Sequence, residues 1–103
     1  MSPDGKLVLE FLNGPLDGER VTLQAAVDWS RLGTGPLACP WDKELGEPQG
    51  RFSHDERGWS LEALHSPHGT YRLNQKERLS GRTLLRMNDL LKASAVWLIV
   101  REC

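Results

Sequence analysis

The chain has 103 residues, 39% hydrophobic and 26% charged, and a formal net charge of −1. Such a length fills one core but not two, and the composition is that of a globular chain rather than a disordered one. The near-neutral balance excludes the basic excess typical of proteins that live on phosphate backbones, and no apolar run approaches the roughly 20 residues that span a bilayer as a helix.

One domain is expected over residues 1–103, with a core over about 7–100. The start, Met1 to Leu7, lacks the basic segment and long apolar centre of a secretory signal, so a cytoplasmic location is expected. Two cysteines, Cys39 and Cys103, are too few for a disulfide framework and read as reduced thiols. No spacing pairs Cys39 with a histidine as a nucleophile.

Leu7–Leu12 is a strand ended by Asn13-Gly14-Pro15, and Glu19–Leu23, with Val21 and Leu23 on one face, is its hairpin partner. Val27–Leu32 reads as a third strand. Between Gly33 and Gly50, four glycines and three prolines make a helix or a long strand hard to place, so a long loop of a kind that is often functional is expected there, with Trp41 plugging it onto the core. Arg51–His54 and Trp59–Leu64 flank the turn Asp55–Gly58 as a second hairpin. Tyr71–Leu73 is a short strand. Leu79, Leu84, Leu85 and Met87 then lead through a tight turn at Asn88-Asp89 into Leu90-Leu91. The last strand, Val96–Val100, is apolar on both faces and so internal to a sheet. Many short strands without a helix make an all-β sandwich, with Leu9, Phe11, Val21, Leu23, Leu32, Trp59, Leu61, Leu98 and Val100 as its expected core.

Gly58-Trp59 opens a leucine-bearing strand, and Ser66-Pro67-His68-Gly69-Thr70-Tyr71 follows it closely. This succession resembles the signature of forkhead-associated (FHA) domains, and the resemblance runs from Leu7 to Val100. It implies a two-sheet antiparallel β-sandwich of the FHA (SMAD/FHA-like) type, whose loops at one end hold a phosphothreonine peptide. Gly33, Trp59, Gly69 and Thr70 would be the structural signature. The family's gripping positions depart from the pattern. Leu32-Gly33-Thr34 stands where the family has Ile-Gly-Arg, so the phosphate-binding arginine is Thr34. Gly46 to Phe52 stands where it has Ser-Arg-x-His-Ala-x-Ile, so the serine is Gly46 and the structural histidine is Gln49. The asparagine of the third landmark is His68. Losing the arginine and serine donors removes charge-assisted hydrogen bonds worth at least about 3 kcal/mol together, or about two decades of affinity.

The expectation is a non-enzymatic interaction module that takes a protein partner or peptide on its loops without needing phosphothreonine. Arg31, Thr34, Gly46, Arg51, Ser66, His68 and Arg72 would be the contacts, with Arg31 or Arg51 as the candidate substitutes for the missing arginine. A surviving phosphothreonine reader is the second reading, with His68 as an added donor when protonated.

No cofactor or metal is expected. His65-x-x-His68 flanks a proline on a loop and offers too few ligands on too soft a frame, and no Gly-rich cradle, nucleophile elbow or framed carboxylate pair is present. An accessory nucleic-acid role would use Arg72, Lys76, Arg78, Arg82 and Arg86, which read rather as a solvated hairpin face. Charge is uneven: residues 1–56 hold 5 basic and 10 acidic side chains, residues 57–103 hold 8 and 4.

Overall fold

Period-two alternation in short segments rich in Val, Leu, Phe and Trp builds a β structure throughout the computed structural model, which describes residues 5–103. Residues 1–4, inside the domain bounds expected from the sequence, lie outside the described residues. The strands are β1 (Leu7–Phe11), β2 (Arg20–Leu23), β3 (Val27–Trp29), β4 (Gly50–Asp55), β5 (Gly58–Ala63), β6 (Thr70–Arg72), β7 (Glu77–Arg78), β8 (Gly81–Leu84), β9 (Leu90–Ala93) and β10 (Val96–Glu102). They form a six-stranded sheet of order β2-β1-β10-β9-β6-β7 and a four-stranded sheet of order β3-β4-β5-β8. Each strand pair is antiparallel.

The two sheets pack through their inward faces. Leu9, Phe11, Leu91, Leu98 and Val100 come from the larger sheet and Trp29, Phe52, Trp59 and Leu61 from the smaller, all buried. Trp29 and Phe52 lie with ring centroids 6.0 Å apart. As its apolar faces require, β10 is internal, between β1 and β9. The tight turn before β9 rests on Asn88, whose φ of 72° is a left-handed conformation that asparagine tolerates.

Several expectations are corrected. The third strand stops at Trp29, because Ser30 leaves the sheet to bridge Ala38, and Leu32 is 53% exposed rather than core. Trp29 takes the core place instead. Trp41 remains 36% exposed, so it caps the core rather than filling it: its ring meets buried Phe11 at 6.1 Å between centroids and lies beside Gly14. Val21 is half-buried at the edge of the core. The basic residues from Arg72 to Arg86 do not form one hairpin face, since Arg72 and Arg78 belong to the larger sheet and Arg82 to the smaller.

Candidate interaction surface at the loop end

The ladder of the smaller sheet ends at Trp29, Gly50 and Ala63, and the chain segments beyond those residues gather at one end of the sandwich. These are the 30–49 segment, the 64–69 loop and the Ser94-Ala95 turn between β9 and β10.

Gln49 organises this end. Its backbone extends the ladder by one rung, donating N–H to the Trp29 carbonyl at 2.7 Å and accepting from Leu64 N–H at 3.1 Å. Its side chain is 1% exposed and turns into the 64–69 loop. There Nε2 donates toward Ser66 Oγ at 2.9 Å, the Gly69 carbonyl at 3.1 Å and Thr70 Oγ1 at 2.8 Å, while Oε1 accepts from Gly46 N–H at 2.7 Å. One amide thus shares its two N–H groups among three acceptors and accepts from a fourth group, where a buried polar group left unpaired costs about 1–3 kcal/mol.

The loop closes on itself as well. Ser66 Oγ accepts from Gly69 N–H at 3.1 Å, and Gly69 sits at φ 74°, where a side chain is strained. At the tip, His68 Nε2 meets Glu44 Oε2 at 3.3 Å and so links the two loops. The 30–49 segment is further held by Asp42. Its carboxylate accepts from Ala95 N–H and Ser94 Oγ, each at 2.9 Å, and from Glu44 N–H at 3.0 Å.

The sequence-selected residues separate accordingly. Gly46, Ser66, His68, Gly69 and Thr70 come together around Gln49, and Arg31 joins them through its N–H to the Gly46 carbonyl, at 3.1 Å. Ser66 and Thr70 are buried and internally engaged. Thr34 is exposed beside Gly33, on a separate turn of the 30–49 segment. Arg51 lies on the sheet, paired with Asp28 at 2.8 Å, whose carboxylate holds the guanidinium above its ordinary pKa. Arg72 points away from the loop end. Its side chain, 13% exposed, joins Glu77 and Asp89, and Asp89 belongs to the turn that precedes β9.

Neither candidate substitute arginine is free. Arg31 is ion-paired with Glu47 of its own segment, and Arg51 with Asp28. A cleft of about 400 Å³ opens beside Gly33, lined by Val27, Leu32, Ala38 and Pro48 together with Asp28 and Glu47. Apolar groups and two ion-paired carboxylates therefore meet whatever enters it.

Gln49 as the hub, and its dependence on Gly46, escaped the sequence reading. A Cβ on Gly46 would lie 3.0 Å from Gln49 Cα and 3.1 Å from Gln49 Oε1. The glycine is what lets the amide approach. The signal was the paired departure at 46 and 49, read position by position as lost serine and altered histidine.

The cysteines carry no site. Burial pushes the Cys39 thiol up to about 11, and Cys103 Sγ lies against the Leu85 carbonyl. No group of three or more His, Cys, Asp or Glu is arranged around a metal position among the described residues. No helix among them is long and apolar enough to cross a membrane.

No family model and no curated protein sequence matches the chain. Solved structures do. A domain from a structural and functional study of phosphothreonine-dependent FHA domain interactions superposes with a TM-score of 0.79 at 19% identity, over 95% of this chain and 97% of that one. The FHA domain of an Arabidopsis thaliana hypothetical protein gives 0.81 at 20% identity, over 94% and 85%. The FhaA FHA domain, complexed with the intracellular domain of Rv3910, gives 0.77 at 20%, over 92% and 99%. At such identities the likeness is one of fold, and in its fold the chain is an FHA-type β-sandwich.

Proposed function

We propose that this chain is a non-enzymatic protein-interaction module, one domain over residues 1–103, that docks a protein partner on its loop end without requiring phosphothreonine. The observation that carries the reading is the cleft beside Gly33 and Thr34. Its charged groups are Asp28 and Glu47, which neutralise the nearby Arg51 and Arg31. A phosphate dianion entering there meets closed ion pairs and no free guanidinium, whereas an apolar segment meets Val27, Leu32 and Pro48.

The ordering of the loops supports the same reading. Gln49, Asp42 and the Gly69 turn hold them in one conformation, so little entropy is lost when a partner docks. Thr34 and His68 would be the polar contacts on the exposed side. Arg31 and Ser66, engaged within the protein, support that surface rather than reach across it, whereas Arg51 is held on the sheet by Asp28 and Arg72 by Asp89 at the far end. Two unpaired cysteines suit a reducing compartment, and we assign the module to the cytoplasm.

One structural neighbour comes from work on phosphothreonine-dependent interactions, which keeps the phosphothreonine reader as the second reading. A polarisation screen of a degenerate phosphothreonine library against its unphosphorylated counterpart separates the two. No phosphate-dependent affinity in the low micromolar range is expected. A phosphate-dependent affinity in the low micromolar range overturns the proposal. With a captured partner, Thr34→Glu combined with His68→Ala should abolish binding at an unchanged melting temperature.

A further inference from the structure

On the other side of the 64–69 loop lies a second cleft, of about 270 Å³, between that loop and the Leu79-Ser80 link joining β7 to β8. His65, Gly69, Arg78, Ser80 and Gly81 line it, and no Asp or Glu does. Among the described residues, every other arginine except Arg86 faces a carboxylate. Arg78, exposed on β7, does not. The guanidinium lies flat against Gly69, with Nε 2.9 Å and Nη2 3.0 Å from where a Cβ would stand, and Cζ is 5.9 Å from the centroid of the Tyr71 ring.

Gly69 is required by its φ of 74°, and its bare backbone leaves room for the cation to rest against it. A planar guanidinium held this way presents parallel N–H vectors that match the two oxygens of a carboxylate or phosphate. Ser80 Oγ and the His65 imidazole line the same cleft, and neither is engaged elsewhere among the described residues. The site combines a cation without an ion-pair partner, further polar groups and an absence of competing acid.

We infer that this cleft is an oxyanion pocket that receives an acidic side chain, carboxylate or phosphate, of a docked protein partner. The inference rests on the loop end being a protein-docking surface, and it gives the partner an apolar contact on one side of the 64–69 loop and an acidic one on the other.

The test uses three short peptides identical except for a central glutamate, phosphoserine or glutamine, titrated into the folded protein at constant ionic strength. Two-dimensional NMR reads the Arg78 Nε–H and the amides of Gly69 and Gly81. The glutamate and phosphoserine peptides should shift these signals and the glutamine peptide should not, and the tighter of the two names the source of the oxyanion. Arg78→Gln should weaken the interaction about tenfold or more, and Arg78→Lys, which keeps charge without the fork, by less. Equal responses to the three peptides, or unchanged binding by Arg78→Gln at an unchanged melting temperature, overturn the pocket. Because these signals are local to Arg78, they remain if only the docking reading at Thr34 and His68 fails.

Discussion

The amide of Gln49 and the hydroxyl of Thr70 lie 2.8 Å apart, both buried, and that contact joins the end of the smaller sheet to the first strand after the 64–69 loop. Through it the two sheets share a polar fastening at the loop end in addition to their apolar core.

Removing that fastening should be costly. Gln49→Ala leaves Thr70, Ser66, the Gly69 carbonyl and the Gly46 N–H without their partner, for a loss of about 2–3 kcal/mol. For a chain of this size the melting temperature should fall by about 10–20 °C. A drop within about 3 °C would show that water replaces the amide without penalty.

Gly46→Ser places the family's residue at its position and should still fail to create a phosphate site. Its Cβ would crowd Gln49 Cα and the Pro48 carbonyl, at 3.0 and 3.1 Å, so overpacking of about 1–3 kcal/mol is expected. Thermal melting and phosphopeptide titration of the same variant check both halves. Gain of phosphopeptide affinity with unchanged stability contradicts the coupling of positions 46 and 49.

Trp59, 2% exposed, fills the core and donates from Nε1 to the Gly5 carbonyl at 2.8 Å, with the His54 ring stacked at 5.1 Å. Trp59→Ala should cost about 3–5 kcal/mol. Trp59→Phe keeps much of the volume but loses the hydrogen bond, so a loss nearer 1–2 kcal/mol is expected. Urea titration measures both, and equal losses would show that ring volume is immaterial there.

Glu10 on β1 lies opposite Arg20 on β2 and also reaches Arg101 on β10. Hydrogen bonds from Arg101 first and Arg20 second hold its carboxyl below the ordinary value of 4.5. A lowered pKa means that Glu10's stabilisation is full above that ordinary value and is lost as pH falls through the folded one. Glu10→Gln should therefore melt below the parent at pH 7, with the gap closing as pH falls below the ordinary value of 4.5 and through the lowered folded one. A gap independent of pH would assign the difference to packing.

Much of the fold was legible because its signals are local. The short apolar run Leu7–Phe11, the alternation in Arg20–Leu23, the turn at Asp55–Gly58 and the two-faced apolar run of β10 each specify strand and partner within a few residues. The misplaced positions depend on distant contacts. Leu32 looks like strand, yet the chain has already turned at Ser30 to bridge Ala38, and nothing in the residues around Leu32 encodes that bridge. Arg72 follows the signature loop in sequence, but Asp89, 17 positions on, draws its guanidinium to the opposite end. Gln49 was visible only as a substituted position. Its role depends on four groups spread from residue 46 to residue 70, a relation that spacing along one chain does not display.

Gln49 also decides what can be transplanted. A segment from Leu64 to Thr70, moved alone into another sandwich, would carry its residues but not its shape, since the amide that fixes Ser66, Gly69 and Thr70 belongs to a different strand connection and itself needs the bare backbone of Gly46. The portable unit is discontinuous: Gly46 to Gln49 together with Leu64 to Thr70. Variation among chains that share this scaffold would be constrained in the same joint fashion, with the two stretches changing as a pair or not at all.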